Sequence, residues 1–192
     1  IWPKLSLFSP GLFAPGEVVL YLDLDVMVMG ALDPLAATAR REGGLWIIRE
    51  WNPSLLRLLP VRMRPDRGGN SSLVGWRAGE QDAIFAAFAA DPDAALARWR
   101  NDQEFITDHA HNRRYWPYDW TASFKRHCVF YWPLNRLFPH PRRPDWTRVL
   151  VFHGRPDPTD LLPDDPRHRW GARRKFGYGP VPWVQDYWRR YG

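Results

Sequence analysis

The run Val18-Val19-Leu20-Tyr21-Leu22, closed by Asp23-Leu24-Asp25, restricts the possible architectures more than any other stretch of the chain. Five apolar residues, β-branched at the start, read as a strand covered on both faces, the pattern of a parallel sheet in an α/β protein. The two acids fall where that strand ends, and in α/β sheets ligands collect beyond the carboxyl ends of the strands. Side chains two apart on an extended segment point the same way, so Asp23 and Asp25 are placed to share one ion. Hard oxygen donors favour Mg²⁺ or Mn²⁺, ions that also hold substrate phosphates. The plain alternative is a pair of solvated acids leading into a turn.

A chain of 192 residues, 45% hydrophobic, can bury one sizeable core, and a single domain over 1–192 is expected. Cys128 is the only cysteine, which rules out an internal disulfide and favours an intracellular, cytoplasmic setting. No apolar run reaches the length of a membrane span, and the start, Ile1-Trp2-Pro3-Lys4, is neither a signal peptide nor an initiator methionine. The chain reads as a fragment of a longer product. A formal charge of +6 calls for an anionic partner, without choosing among nucleic acid, membrane surface and phosphorylated metabolite. The basic residues are scattered, densest at Arg142-Arg143 and Arg173-Arg174-Lys175, and carry no nucleic-acid motif. Nucleic acid is therefore not expected as a partner, whereas peripheral contact with a membrane remains compatible with the charge. The twelve tryptophans suit stacking on bases or sugar faces, but most are expected in the core or at its rim.

Along the chain, Trp2 to Phe8 reads as a short helix and Val18 to Leu22 as a strand. Asp33-Pro34 reads as an N-cap and first-turn proline for a helix through about Arg40, stopped by Gly43-Gly44. Gly44 to Arg49 and Asn70 to Trp76 read as strands, with Pro53 to Gly69 a surface loop between them. Helical spacing marks Glu80 to Ala90, Asp91-Pro92 restarts a helix carrying Leu96 and Trp99, and Asn101 with Glu104 forms a capping box opening a helix through about Ala110. His111 to Trp146 is aromatic, proline-rich and without period. Val149 to Phe152 reads as a strand and Trp183 to Tyr191 as an amphipathic helix, and there is no internal repeat.

The segment Leu20-Tyr21-Leu22-Asp23-Leu24-Asp25-Val26, with Gly30 and Leu32-Asp33-Pro34-Leu35 behind it, resembles the metal-binding segment of nucleotide-sugar glycosyltransferases of the GT-A fold, above all glycosyltransferase family 8 and its bacterial relatives. Four further segments stand in the order this resemblance implies. Lys4 sits where the family has a basic residue near the donor. Asn70-Ser71-Ser72 is similar to the family's Asn-Ser-Gly strand, whose polar start faces the sugars. Asp102-Gln103-Glu104 is similar to the Asp-Gln-Asp segment, which implies that Asp102 and Gln103 lie beside the anomeric carbon, although a helix start attracts acids for dipole reasons alone.

Val151 to Pro158 resembles the His-Phe-x-Gly-x-x-Lys-Pro segment, in which histidine completes the metal site and lysine touches the diphosphate. Two departures stand out. Aligned on Gly154, the family histidine falls at Val151, and His153 lies two places later, on the same face if the strand continues. The lysine position is Asp157, so counter-charge for a diphosphate falls to Arg155 and Lys125.

The resemblance thus implies an α/β fold with a GT-A type mixed sheet flanked by helices, Rossmann-like and N-terminally truncated, because the family's nucleotide-gripping first strand would precede Ile1. It implies a retaining hexosyltransferase using a nucleotide-sugar donor, UDP-linked, and a saccharide acceptor. Asp23, Asp25 and His153 would be metal ligands for Mn²⁺ (or Mg²⁺), Asp102 and Gln103 catalytic, and Lys4, Asn70, Ser71, Lys125, Gly154 and Arg155 substrate-binding. Two rivals remain at this stage. One is a remnant that binds sugar or nucleotide without turnover. The other is a haloacid-dehalogenase-like phosphatase, which also places Asp-x-Asp after an apolar strand but expects a hydroxyl near Val26-Met27 that is absent here.

Overall fold

The computed structural model describes residues 2–52, 56, 59–130, 134–138, 140–170 and 177–192. The Arg173-Arg174-Lys175 cluster and part of the Pro53 to Gly69 loop lie outside the described residues. The chain divides into two compact units, one formed by the described parts of Ile1–Asp23, Ala31–Asn52 and Leu59–Pro117, the other by the described parts of Leu24–Gly30, Pro53–Leu58 and Tyr118–Gly192.

The first unit is built on a four-stranded mixed sheet in the order β1-β4-β3-β5, formed by β1 (Val18–Leu22), β3 (Leu45–Arg49), β4 (Gly69–Arg77) and β5 (Arg113–Tyr115). The long strand β4 runs antiparallel to both β1 and β3, and β5 joins β3 in parallel. Hence β1 is not the both-faces-covered strand of a parallel sheet that its apolar run predicts. Its five residues are all half-buried, and its described pairing is antiparallel, to β4. Leu45, Ile47, Val74 and Trp76 of the sheet meet Ile84, Phe105 and Ile106 of the covering helices in one apolar cluster. Each such buried aliphatic or aromatic side chain contributes about 1.5–3 kcal/mol. Gly75 is needed at the centre of β4, since a Cβ there would lie 2.7 Å from the Trp116 ring, which stacks on Trp46.

The helices of this unit are α1 (Asp33–Glu42), α2 (Asp82–Ala90), α3 (Pro92–Arg98) and α4 (Asp102–His109). Their ends follow the local chemistry closely. Gly43 closes α1 at φ 60°, a conformation glycine takes without strain. Asp33 is the first residue of α1 and not its cap. The Asp91 and Asn101 side chains accept the backbone N–H groups of Ala94 and Glu104, both at 2.9 Å, capping α3 and α4. Only half of the expected capping box forms, because the Glu104 carboxylate turns to Arg100, accepting its N–H at 3.0 Å and pairing its guanidinium at 2.8 Å. The segment Pro3–Phe8 is helical where a helix is expected, but as a 3₁₀ turn, pinned by buried Leu5 and Phe8.

The second unit carries a three-stranded sheet, order β2-β7-β6, from β2 (Val26–Val28), β7 (Val149–Val151) and β6 (Thr121–Ser123). Here β7 is antiparallel to β2 and parallel to β6. Met27, Ala122, Leu150 and Phe152 enter its core with Phe124, Trp170 and Val184, the last from the terminal helix α5 (Pro182–Tyr191). A π-helical turn, Phe124–Cys128, follows β6 directly. Among the described residues no helix is long and apolar enough to cross a membrane.

Candidate active site

In the first unit the polar candidates gather on one lysine. The 3₁₀ turn buries Leu5 and Phe8 and thereby holds Lys4 over β1 and β4. Its ammonium pairs with Asp23 Oδ1 at 2.8 Å, donates to Ser71 Oγ at 3.1 Å and to Ser71 O at 3.3 Å, and lies 3.9 Å from Asp102 Oδ2. The Lys4 side chain is 13% exposed and its acid partners about twice that, so these contacts are only partly screened by water. Tyr21 also takes part. Its hydroxyl donates to Asp23 Oδ1 at 2.7 Å while Lys4 sits over its ring. Sequence reasoning passed Tyr21 over, although strand alternation from Asp23 puts it on the same side.

The start of β4 supplies the rest. Gln103 Oε1 accepts the Ser71 N–H at 3.2 Å, which leaves the NH₂ group as the part of this amide that Gln103 presents. Asn70 Oδ1 accepts the Ser72 N–H at 3.0 Å, and Asn70 Nδ2 donates to Glu50 at 3.2 Å. Lys4, Asp23, Ser71, Asp102 and Gln103 are thus brought together, with Asn70 beside Ser71. The group offers one cation against two carboxylates, together with hydroxyl and amide groups. That balance repels phosphate and suits the paired donors and acceptors of sugar hydroxyls.

The second unit gathers the other candidates around the end of β7. Leu150 and Phe152 point into the core, so His153 emerges just beyond β7 on the side of Val151, the register partner of Ser123 on β6. Ser123 Oγ and His153 Nε2 are 2.7 Å apart. Asp25 O accepts the Phe152 N–H at 2.9 Å, which sets Asp25 next to this strand end, and Asp25 Oδ1 is shut off from solvent. Lys125, presented by the π-helical turn, donates to His153 O. Burial, with Arg126 nearby, pulls the Lys125 ammonium below its ordinary pKa, while Asp157 and Asp25 act in the opposite sense. Gly154 has φ 63°, and a Cβ there would stand 3.4 Å from Lys125 Nζ, so the Gly154 backbone runs close beside the ammonium. Nothing in the local sequence marks Ser123 as a partner of His153; the parallel β6–β7 register creates the pair.

Arg155, two residues beyond His153, is engaged by acids. Its guanidinium holds Asp160 at 2.7 and 2.9 Å and Asp157 at 3.2 Å. Asp157 and Asp160 form a reciprocal capping box on the short turn Pro158–Leu161, so Arg155 serves that turn. Burial raises the Asp160 pKa, but the Arg155 hydrogen bond, the Asp157 N–H and the neighbouring positive charge hold it below the ordinary carboxylate value.

Two carboxylates and an imidazole are a donor set suited to Mn²⁺ by chemistry. Among the described residues, however, no three His, Cys, Asp or Glu side chains are gathered as a metal cage. Asp23 is engaged with Lys4 and Tyr21, and His153 with Ser123.

Comparison of folds identifies the architecture. The chain superimposes on the galactosyltransferase LgtC in complex with donor and acceptor sugar analogues with a TM-score of 0.51 and 16% identity, covering 82% of this chain and 59% of LgtC. An active-site mutant of LgtC matches with a TM-score of 0.48 over the same shares and at the same identity. No protein-family model and no curated protein matches the sequence. The α/β fold, with mixed sheets flanked by helices, is that of GT-A glycosyltransferases. The chain spans about three-fifths of the length of its structural neighbours.

Proposed function

We propose that the protein is a glycosyltransferase that moves a hexose from a nucleotide diphosphate donor, UDP-linked, to a saccharide acceptor with retention of configuration. The observation that carries this reading is the convergence on Lys4 of Asp23, Ser71 and Asp102, three sites from distant parts of the chain. Asp102 and the NH₂ of Gln103 would orient the donor sugar, with the Gln103 amide fixed by Ser71 N–H. Lys4 holds Asp23 and Asp102 in place through its ammonium, and the Lys125 ammonium supplies positive charge for a diphosphate, a point-charge role suited to lysine. Asp23, Asp25 and His153 are the residues that would hold Mn²⁺ or Mg²⁺. Such an ion neutralises charge developing on a departing diphosphate, a contribution typically worth several kcal/mol.

The test uses the chain with Mn²⁺ and a panel of nucleotide sugars. Free UDP is expected to accumulate with one donor, and Asp25→Ala and Asp102→Asn are each expected to reduce its release by at least about a hundredfold, the scale of losing a group that stabilises transition-state charge. Saturable UDP binding with no release from any donor would replace transfer with binding alone.

A further inference from the structure

The second unit holds an open cavity of about 550 Å³ between the far end of β2 and helix α5. Its size falls within the usual range of ligand sites. The helix lines it with Trp183, Asp186, Tyr187, Arg190 and Tyr191, the i, i+3, i+4, i+7, i+8 pattern of a single helix face. Such a face normally lies against a core. Here part of it looks into open space, with three aromatic and two charged side chains.

Two of the aromatic walls are fixed in place. Trp183 Nε1 donates to Pro141 O at 3.1 Å with its ring packed near Phe124, and the Tyr187 hydroxyl accepts the Val28 N–H at 3.0 Å. Tyr191 stands beside it, its ring 5.0 Å from that of Tyr187 and tilted 54° to it, so the two rings form a corner. The rim carries Arg143, Arg189 and Arg190; Arg189 pairs with Asp186, and Arg143 with the exposed Asp145 at 3.2 Å, a solvent-screened pair that an anionic ligand can displace. Rigid rings offer a flat apolar surface at little entropic cost, and guanidinium groups bind carboxylate and phosphate through paired N–H donors.

We propose that this cavity binds an acidic saccharide, a sugar bearing carboxylate or phosphate, with its ring face on Tyr187, its edge against Tyr191 and its anionic group on Arg143 and Arg190. None of the residues assigned to transfer lines the cavity. The choice of a sugar over other anions rests on the glycosyltransferase reading above, but binding is measured without turnover, so either idea can fail while the other stands.

The experiment is isothermal titration of the whole chain with a glucuronate-containing tetrasaccharide, glucose 6-phosphate, a neutral tetrasaccharide, inorganic phosphate, and phosphatidylglycerol vesicles. The acidic tetrasaccharide or the sugar phosphate is expected to bind saturably, with the neutral sugar and inorganic phosphate each at least about tenfold weaker. Arg143→Ala and Arg190→Ala should each weaken binding about tenfold, the scale of one charge-assisted contact. Tyr191→Ala should weaken it severalfold. Trp188→Ala, outside the cavity lining, should leave it unchanged. Equal affinity for the neutral sugar, unchanged affinity in the arginine variants, binding to vesicles alone, or no saturable binding of either acidic sugar would each overturn the proposal.

Discussion

Lys4 is the residue on which most of the candidate site turns, because one ammonium answers two carboxylates that would otherwise repel each other. Lys4→Met leaves Asp23 and Asp102 facing across the vacated space. With a quarter of each acid exposed, solvent screens part of the cost, and a loss of about 1 kcal/mol is expected. Urea unfolding measures it, and Lys4→Arg should recover part of it. Donor cleavage in Lys4→Met should fall on the order of a hundredfold, far more than that stability loss would cause. A second residue-scale effect concerns pH. The Asp160 carboxyl is held below its ordinary pKa in the folded chain, so its contribution to stability is fully present above about 3.9. It is lost as pH falls through the lower folded value. The stability gap between the natural chain and Asp160→Asn should therefore be constant from pH 7 to about 5 and close below about pH 4. An unchanged gap at low pH would show that Arg155 adds nothing to this turn.

Helices were legible wherever a start signal met a period. Asp91-Pro92, Asn101 and Gly43 mark ends that the structure reproduces within a residue or two. At α4 the cap also positions chemistry, since the first turn carries Asp102 and Gln103. Asn101→Ala removes the acceptor for Glu104 N–H and should cost about 1 kcal/mol, with Asn101→Asp near neutral. If the cap orients this turn, donor cleavage in Asn101→Ala falls by more than the loss of folded protein explains, and the change appears in kcat more than in KM. Of the described three-residue strands, β7 was legible as the apolar run Val149 to Phe152, and the others were not. Arg113–Tyr115 and Thr121–Ser123 are too short to show a period, and they lie in an aromatic, proline-rich stretch. Pairing was equally hidden. The apolar run of β1 fits either strand direction, and only its partner β4, far along the chain, decides for antiparallel.

Across the whole chain, the family resemblance and the Asp-x-Asp pattern named the candidate residues, and neither shows what joins them. The Asp-x-Asp segment was legible, yet its two acids fall in different compact units, the chain passing from one to the other between Asp23 and Leu24. The Lys4 cluster arises from β1–β4 pairing and the His153 cluster from β6–β7 pairing, neither of which has a local signature. What the assembled chain binds can be read from its stability. A ligand that binds only the folded chain adds RT ln(1 + [L]/Kd), about 2.7 kcal/mol at a hundredfold excess over Kd. For a chain of this size about 1 kcal/mol moves Tm by roughly 2–4 °C, so UDP with Mn²⁺ at that excess should raise Tm by roughly 5–10 °C. The net charge of +6 makes part of this gain electrostatic, and it should shrink as ionic strength rises from about 0.05 to 0.5 M and screening shortens. Asp25→Ala should lose the increment that requires Mn²⁺ and keep any that UDP produces alone. A Tm that ignores UDP and Mn²⁺ together would leave the proposed transfer without a donor site, whatever the fold resembles.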